Sequence, residues 1–244
     1  MVEKNLPTFR LVDESSREVL GLAGDISGFF VAGEGGPGIV TLVGANQIEP
    51  SRRKWDDVEL EVLNFQRRMI GAYYVGRVAP DGPTASCDVD ELRLRFNVTC
   101  EYPEAKEIWR HWASGQELEM GEWRRWPSSQ YGAWLHVVQN AWFSSGKAAA
   151  RYGTSGSVLL DGSKMVNAAA FYCELGEGVN GAGGYFGSNL DALADCLSAG
   201  PVDPPLNIYW KHVDAARAAL GGRFVKSVLL TMREYGAVIR TESG

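Results

Sequence analysis

Two aspartates four residues apart are the first side chains whose type and spacing suggest chemistry. Asp191 and Asp195 lie in the run Tyr185-Phe186-Gly187-Ser188-Asn189-Leu190-Asp191-Ala192-Leu193-Ala194-Asp195-Cys196-Leu197. Gly187 supplies a turn, and Ser188 or Asn189 can cap a helix by accepting from an unpaired backbone N–H. Projected at about 100° per residue, Leu190, Leu193, Cys196 and Leu197 share one face of that helix. Both aspartates fall on the opposite face. Like charges at this spacing cost a helix about 0.2–0.5 kcal/mol, and no Lys or Arg between Gly184 and Pro201 offsets them. The helix dipole accounts for Asp191 in the first turn, but not for Asp195. The pair is either a plain solvated face or a set of carboxylates awaiting a cationic partner. The second arrangement gives fast, specific association.

Glu234 repeats the pattern. In a helix predicted over Phe224–Tyr235, the residues Val225, Val228, Leu229 and Met232 form the apolar face. Glu234 projects away from it, with Leu230 and Thr231 at the preceding turn in place of a cation.

Other motifs lack their context. GxGxxG occurs at Gly33, Gly35, Gly38 and at Gly176, Gly178, Gly181. A phosphate cradle needs a strand before it and a helix N-terminus after it. The first copy runs into strand-like Ile39–Val43, and the second follows a helix. Three isolated histidines, His111, His136 and His212, and four dispersed cysteines, Cys87, Cys100, Cys173 and Cys196, show no metal-ligand or disulfide spacing. Ser144-Ser145-Gly146-Lys147 has an SxxK spacing with nothing else of that signature. No cofactor, no metal and no catalytic constellation are expected.

The elements that must hold the acidic helix form the second half of the chain. After Gly153-Thr154-Ser155-Gly156-Ser157, a linker-like stretch, the pattern predicts a strand at Ser157–Leu160 ended by Asp161-Gly162, and helices at Ala168–Gly176 and Leu190–Leu197. A strand at Leu206–Trp210, the Phe224–Tyr235 helix and a closing strand at Ala237–Arg240 follow. Strands alternating with helices imply an α/β domain with a parallel sheet. Earlier residues read as a strand-rich α+β domain. Strands are predicted at Phe9–Val12, Gly28–Val31, Gly38–Val43, Glu59–Leu63, Met69–Val78 and Glu91–Val98, followed by helices from Pro103 and over Tyr131–Ala150. The Trp-rich stretch Trp109 to Trp142 reads as packing. Two domains are expected, 1–152 and 153–244.

Composition narrows the function classes. A net charge of -6 over 244 residues argues against direct nucleic-acid binding and suits a basic protein partner. From Gly153 onward there are 7 basic and 9 acidic residues, hence -2, so any strong field must come from local placement. With neither a signal-like N-terminus nor a spanning apolar run, no membrane role and a cytoplasmic location are expected.

The pattern Tyr185-x-Gly187-x-Asn189-Leu190-Asp191-Ala192-Leu193-x-Asp195-Cys196-Leu197 resembles the signature of the barstar family of ribonuclease inhibitors. The resemblance extends over roughly Ser157 to Arg240. It implies a three-stranded parallel sheet packed with helices and a protein that blocks a ribonuclease rather than an enzyme. The implied partner is an extracellular-type, guanyl-specific microbial ribonuclease with a basic active site. By the same resemblance, Asp195 would occupy the scissile-phosphate pocket and Asp191 would face neighbouring basic groups. Tyr185 would cover the catalytic histidine, Asn189 and the Gly187 backbone would bond the rim, and Glu234 would add a peripheral ion pair. Ala194 and Ser188 depart from the family type, which has an aromatic and an acid there; these changes touch the identity of the target. The alternative is an immunity or interaction module for a different nuclease toxin or another basic protein. A ligand-binding role for the Trp-rich region has no nucleophile–base pair or metal cluster behind it.

Overall fold

The structure, a computed structural model, describes residues 8–46, 54–82, 91–153, 156–199 and 205–243. Thr154 and Ser155 of the expected linker and Cys87 lie outside them. The chain divides into two compact units, Met1–Glu117 and Leu118–Gly244. The division thus comes earlier than the glycine- and serine-rich stretch suggests.

The first unit contains β1 (Thr8–Asp13), β2 (Val19–Ala23), β3 (Asp25–Ser27), β4 (Gly38–Val43), β5 (Trp55–Leu63), β6 (Met69–Pro80), β7 (Glu91–Phe96) and one helix, α1 (Ala105–Ala113). The strands form one antiparallel sheet in the order β2-β1-β5-β6-β7-β4-β3. Only Gly24 separates β2 from β3, so the two edges of the sheet are one continuous segment and the sheet closes on itself. Closure removes the unpaired edges that invite aggregation. Leu11, Leu20, Trp55, Val58, Val78 and Leu94 meet inside without a water-sized void between them. The strand expected at Gly28–Val31 is not one. Gly28 adopts φ +77°, where a Cβ would lie 2.4 Å from the Ile39 carbonyl oxygen, so the chain turns there; Phe30 makes a single bridge to Cys100.

The second unit opens with short 3-10 turns at Glu122–Arg125 and Ser128–Gln130, then α2 (Tyr131–Ser144). After it come β8 (Ser157–Asp161), α3 (Ala168–Asn180), α4 (Leu190–Ser198), β9 (Asn207–Lys211), α5 (Val213–Leu220), α6 (Gly222–Glu234) and β10 (Val238–Thr241). The three strands are parallel in the order β10-β9-β8, with Leu160 opposite Trp210 and Ile239 opposite Ile208. Parallel neighbours require crossovers, and each crossover here carries two helices. Period-two alternation sends Val158, Leu160, Ile208 and Trp210 into the core, while Leu159 and Tyr209 are exposed. Trp210 stacks on Phe171 of α3 with ring centroids 5.5 Å apart. Helix α5 was not foreseen: its Ala-rich run has no side-chain cap, and His212, in the left-handed region, precedes it.

Segment 118–153 joins this unit through polar bonds that a pattern of apolar residues does not reveal. Glu177 of α3 is 4% exposed. Its carboxylate accepts from the Gly121 amide at 2.6 Å and from the Trp123 indole at 3.2 Å. Arg124 pairs with Glu174 at 2.6 Å, and the Asn167 amide donates to the Ser128 carbonyl at 2.9 Å. Asn180 is a second junction: its carboxamide donates to Ala150 O and Tyr185 O and accepts from the Tyr152 and Gly153 amides. Trp123, Trp134 and Trp142 are buried in this unit, and Trp109 in the first. Among the described residues, no helix is long and apolar enough to cross a membrane.

Glu177→Ala strands two buried donors and should lower unfolding free energy by about 1–3 kcal/mol in denaturant titration, with Glu177→Gln losing less because it keeps one acceptor. His136 of α2 is half-buried, and desolvation holds its imidazole down at about 4. Unfolded histidine takes up a proton below about 6.5 while the folded form does not, so stability falls as pH drops from about 6.5 toward 4. Burial raises the carboxyls of Glu174 and Glu177, which act in the opposite sense. The His136→Gln variant isolates the histidine: its thermal midpoint should fall less between pH 7.5 and pH 5 than the parent's, and an equal fall would refute the assignment.

Candidate partner-binding site

The loop that leads into α4 is built on glycines. Gly187 adopts φ +98°, and a Cβ there would lie 2.9 Å from the backbone N and Cα of Leu193. The loop therefore lies directly on the first turn of α4. Gly176, inside α3, is needed for the same reason: its Cβ would meet the Gly184 carbonyl oxygen at 2.3 Å. Gly178 lies against Val158. These glycines of the second GxGxxG serve helix packing, and the third, Gly181, ends α3.

Asn189 caps α4. Its backbone is extended, and its side-chain oxygen accepts from the Ala192 amide at 2.8 Å. The apolar face sits as projected, with Leu193 and Cys196 buried and Leu190 and Leu197 half-buried. Helix α4 packs against α6, where Val225, Val228, Leu229 and Met232 are all buried. Burial pushes the Cys196 thiol up to about 12, with the Asp195 charge adding to it.

On the outer side, Asp191 and Asp195 are exposed, as are Asn189 and, on α6, Glu234. Several cations of this unit pair with other acids. Lys164 and His212 pair with Asp161, Arg217 with Asp214 and Arg124 with Glu174. Among the described residues, the carboxylates of Asp191, Asp195 and Glu234 have no ion pair. Burial tends to raise the Asp161 carboxyl, but hydrogen bonds from Ser163 and His212 and the nearby Lys164 outweigh it and hold it well below the usual carboxylate range.

Two of the six residues singled out in the sequence, Tyr185 and Gly187, are buried in the structure. Tyr185, expected to offer its ring to a partner, is 2% exposed. Phe143, at the end of α2, lies edge-on to it with centroids 5.4 Å apart, and the Tyr185 hydroxyl lies 3.4 Å from Ser188 Oγ. Gly187 is buried against Leu193. The sequence reading missed the cover because Phe143 lies 42 residues upstream (185 - 143), in a segment assigned to the other domain. It also missed Asn180, whose bonds to both sides of the junction leave no sequence signal. No group of three or more His, Cys, Asp or Glu able to hold a metal occurs among the described residues.

Gly187→Ala tests this construction. The strained φ and the contact with Leu193 should cost about 1–3 kcal/mol in chemical denaturation, and an unchanged midpoint would show that the turn tolerates a side chain.

The comparisons with known proteins agree with this architecture. Residues 156–241 match the family model described as Barstar (barnase inhibitor). No curated protein matches the chain. The match begins after α2, so the compact unit is larger than the family region, and residues 1–155 are unassigned. With its parallel sheet, its paired helical crossovers and its capped acidic helix, the C-terminal region belongs to the barstar family of ribonuclease inhibitors, whose members are not catalysts.

Proposed function

We propose that the C-terminal unit inhibits a guanyl-specific, barnase-like ribonuclease inside the producing cell by pressing the outer face of α4 into the enzyme's basic active site. One observation carries this reading: Asp191 and Asp195 stand exposed, one turn apart and without ion pairs among the described residues, on a helix capped by Asn189 and braced by Gly187 and α6. Such a face loses little entropy on binding because it is already ordered. Uncompensated carboxylates steer a cationic partner and select against neutral ones. Glu234 on the neighbouring helix extends the negative field. In this role Asp195 takes the phosphate's place, Asp191 and Glu234 pair with flanking cations, and Asn189 bonds the rim through its amide nitrogen.

The second reading is an immunity or interaction module for a different nuclease toxin or another basic protein. Ser188 and Ala194, both half-buried beside the aspartates, and the covered ring of Tyr185 favour it, since each changes what a partner would meet.

Titrating guanyl-preferring microbial ribonucleases with the full chain tests the proposal. Stoichiometric inhibition is expected. Asp195→Ala should weaken it by about 2–5 kcal/mol, mainly through faster dissociation, a magnitude taken over from charge pairs of the barnase–barstar interface itself. Added salt should slow association. Salt-sensitive binding to a basic protein without ribonuclease inhibition would move the function to the second reading, and an Asp195→Ala variant of full potency would remove that residue from the site.

A further inference from the structure

The acidic face of α4 is chemically one-sided. Its outward residues are Asp191, Ala192, Ala194, Asp195 and Ser198, either acidic or small. Charges steer a partner, but durable complexes centre on large, well-packed side chains, aromatic ones above all. Helix α4 supplies none. Tyr185 and Phe186, the aromatics leading into it, are both buried.

Phe143 stands over that buried ring. It is 43% exposed although it follows fully packed Trp142, and its ring meets Tyr185 edge-on. Tyr185 in turn reaches Ser188, one residue before the α4 cap. A chain of contacts therefore links the exposed ring of Phe143, at the end of α2, through buried Tyr185 to the start of the acidic helix. Its position is held from several sides. Asn180 bonds Ala150, Tyr152 and Gly153 beyond α2 and Tyr185 in the loop. The Trp142 indole donates to the Ala148 carbonyl at 2.8 Å, and Tyr152 packs on Trp142. A half-exposed aromatic held this firmly needs no ordering when a partner covers it.

We infer that Phe143, contributed by the segment that precedes the family region, contacts the bound ribonuclease and selects which ribonucleases are held. The inference rests on the reading of α4 as the inhibitory face. The occupant is the same basic enzyme: the carboxylates draw it in, and Phe143 packs on a non-polar rim beside its active site. The ligand-facing surface is then a composite of Phe143, Ser188 and Asn189, the outer face of α4 and Glu234.

The test uses the full chain and a panel of guanyl-preferring microbial ribonucleases. Phe143→Ala should raise Kd by about tenfold or more, chiefly through dissociation, and unequally across the panel. Asp195→Ala reports on the underlying reading. Because losing the ring could loosen Tyr185, a second variant, Phe143→Cys, is followed by thiol labelling at that position, read by mass spectrometry with and without ribonuclease. Protection in the complex, together with a loss for Phe143→Ala, supports the inference, and protection alone supports it where Phe143→Ala is destabilised. Unchanged affinity and unchanged labelling alongside an impaired Asp195→Ala overturn it and leave the α4 reading intact. Failure of the parent chain to bind any ribonuclease of the panel, or full affinity of both Asp195→Ala and Phe143→Ala, overturns both.

Discussion

A single buried carboxylate organises the C-terminal unit. Glu177 sits inside α3 with almost no access to water, a position that ordinarily favours the neutral acid. Its hydrogen bonds come from outside its own helix: the Gly121 amide, the Trp123 indole and, at 3.5 Å, the Gly183 amide. Two of these donors lie upstream of the family region and one in the glycine loop that leads to α4. The loop, the helix and the upstream segment are therefore fixed by reference to one group. Trp123 has no exposed surface and its indole N–H needs an acceptor, so segment and carboxylate each satisfy the other.

Asn180 performs a similar service three residues later, one helical turn along α3. Between them the two side chains turn the glycine-rich stretch 181–187 into a defined support. Gly176 and Gly187 are where backbone comes too close for a Cβ, and they set the height at which α4 rests. What faces solvent is then a set of carboxylates on α4 that form no ion pair among the described residues.

Much of this was legible beforehand, and the reasons differ by element. The α4 and α6 faces were readable because burial follows a 3.6-residue period, and Val225, Val228, Leu229 and Met232 fell inside as projected. The cap at Asn189 and the parallel strands followed from local chemistry in the same way. The Gly28–Val31 expectation failed because composition is silent about φ, and the positive φ of Gly28 ends any strand there. Helix α5 escaped because it is only eight residues long, has no side-chain cap and follows a left-handed His212. The cover over Tyr185 and the affiliation of 118–153 depend on hydrogen bonds and one ring contact across long separations, for which a single sequence holds no periodic signal. What the family pattern contributed was the identity of the acidic helix, and what it could not contribute was the neighbour that packs beside it.

The thiol of Cys196 lies between Asp195 and Leu197 in sequence but on the inner side of α4. Thiolate is the nucleophilic form that attacks peroxides, disulfides and other electrophiles. With its ionisation pushed up to about 12 by burial and by the adjacent carboxylate, this sulfur holds a negligible thiolate fraction near neutrality. Burial at 1% exposure and the low thiolate fraction together disfavour oxidation or disulfide exchange of this sulfur beneath the charged surface.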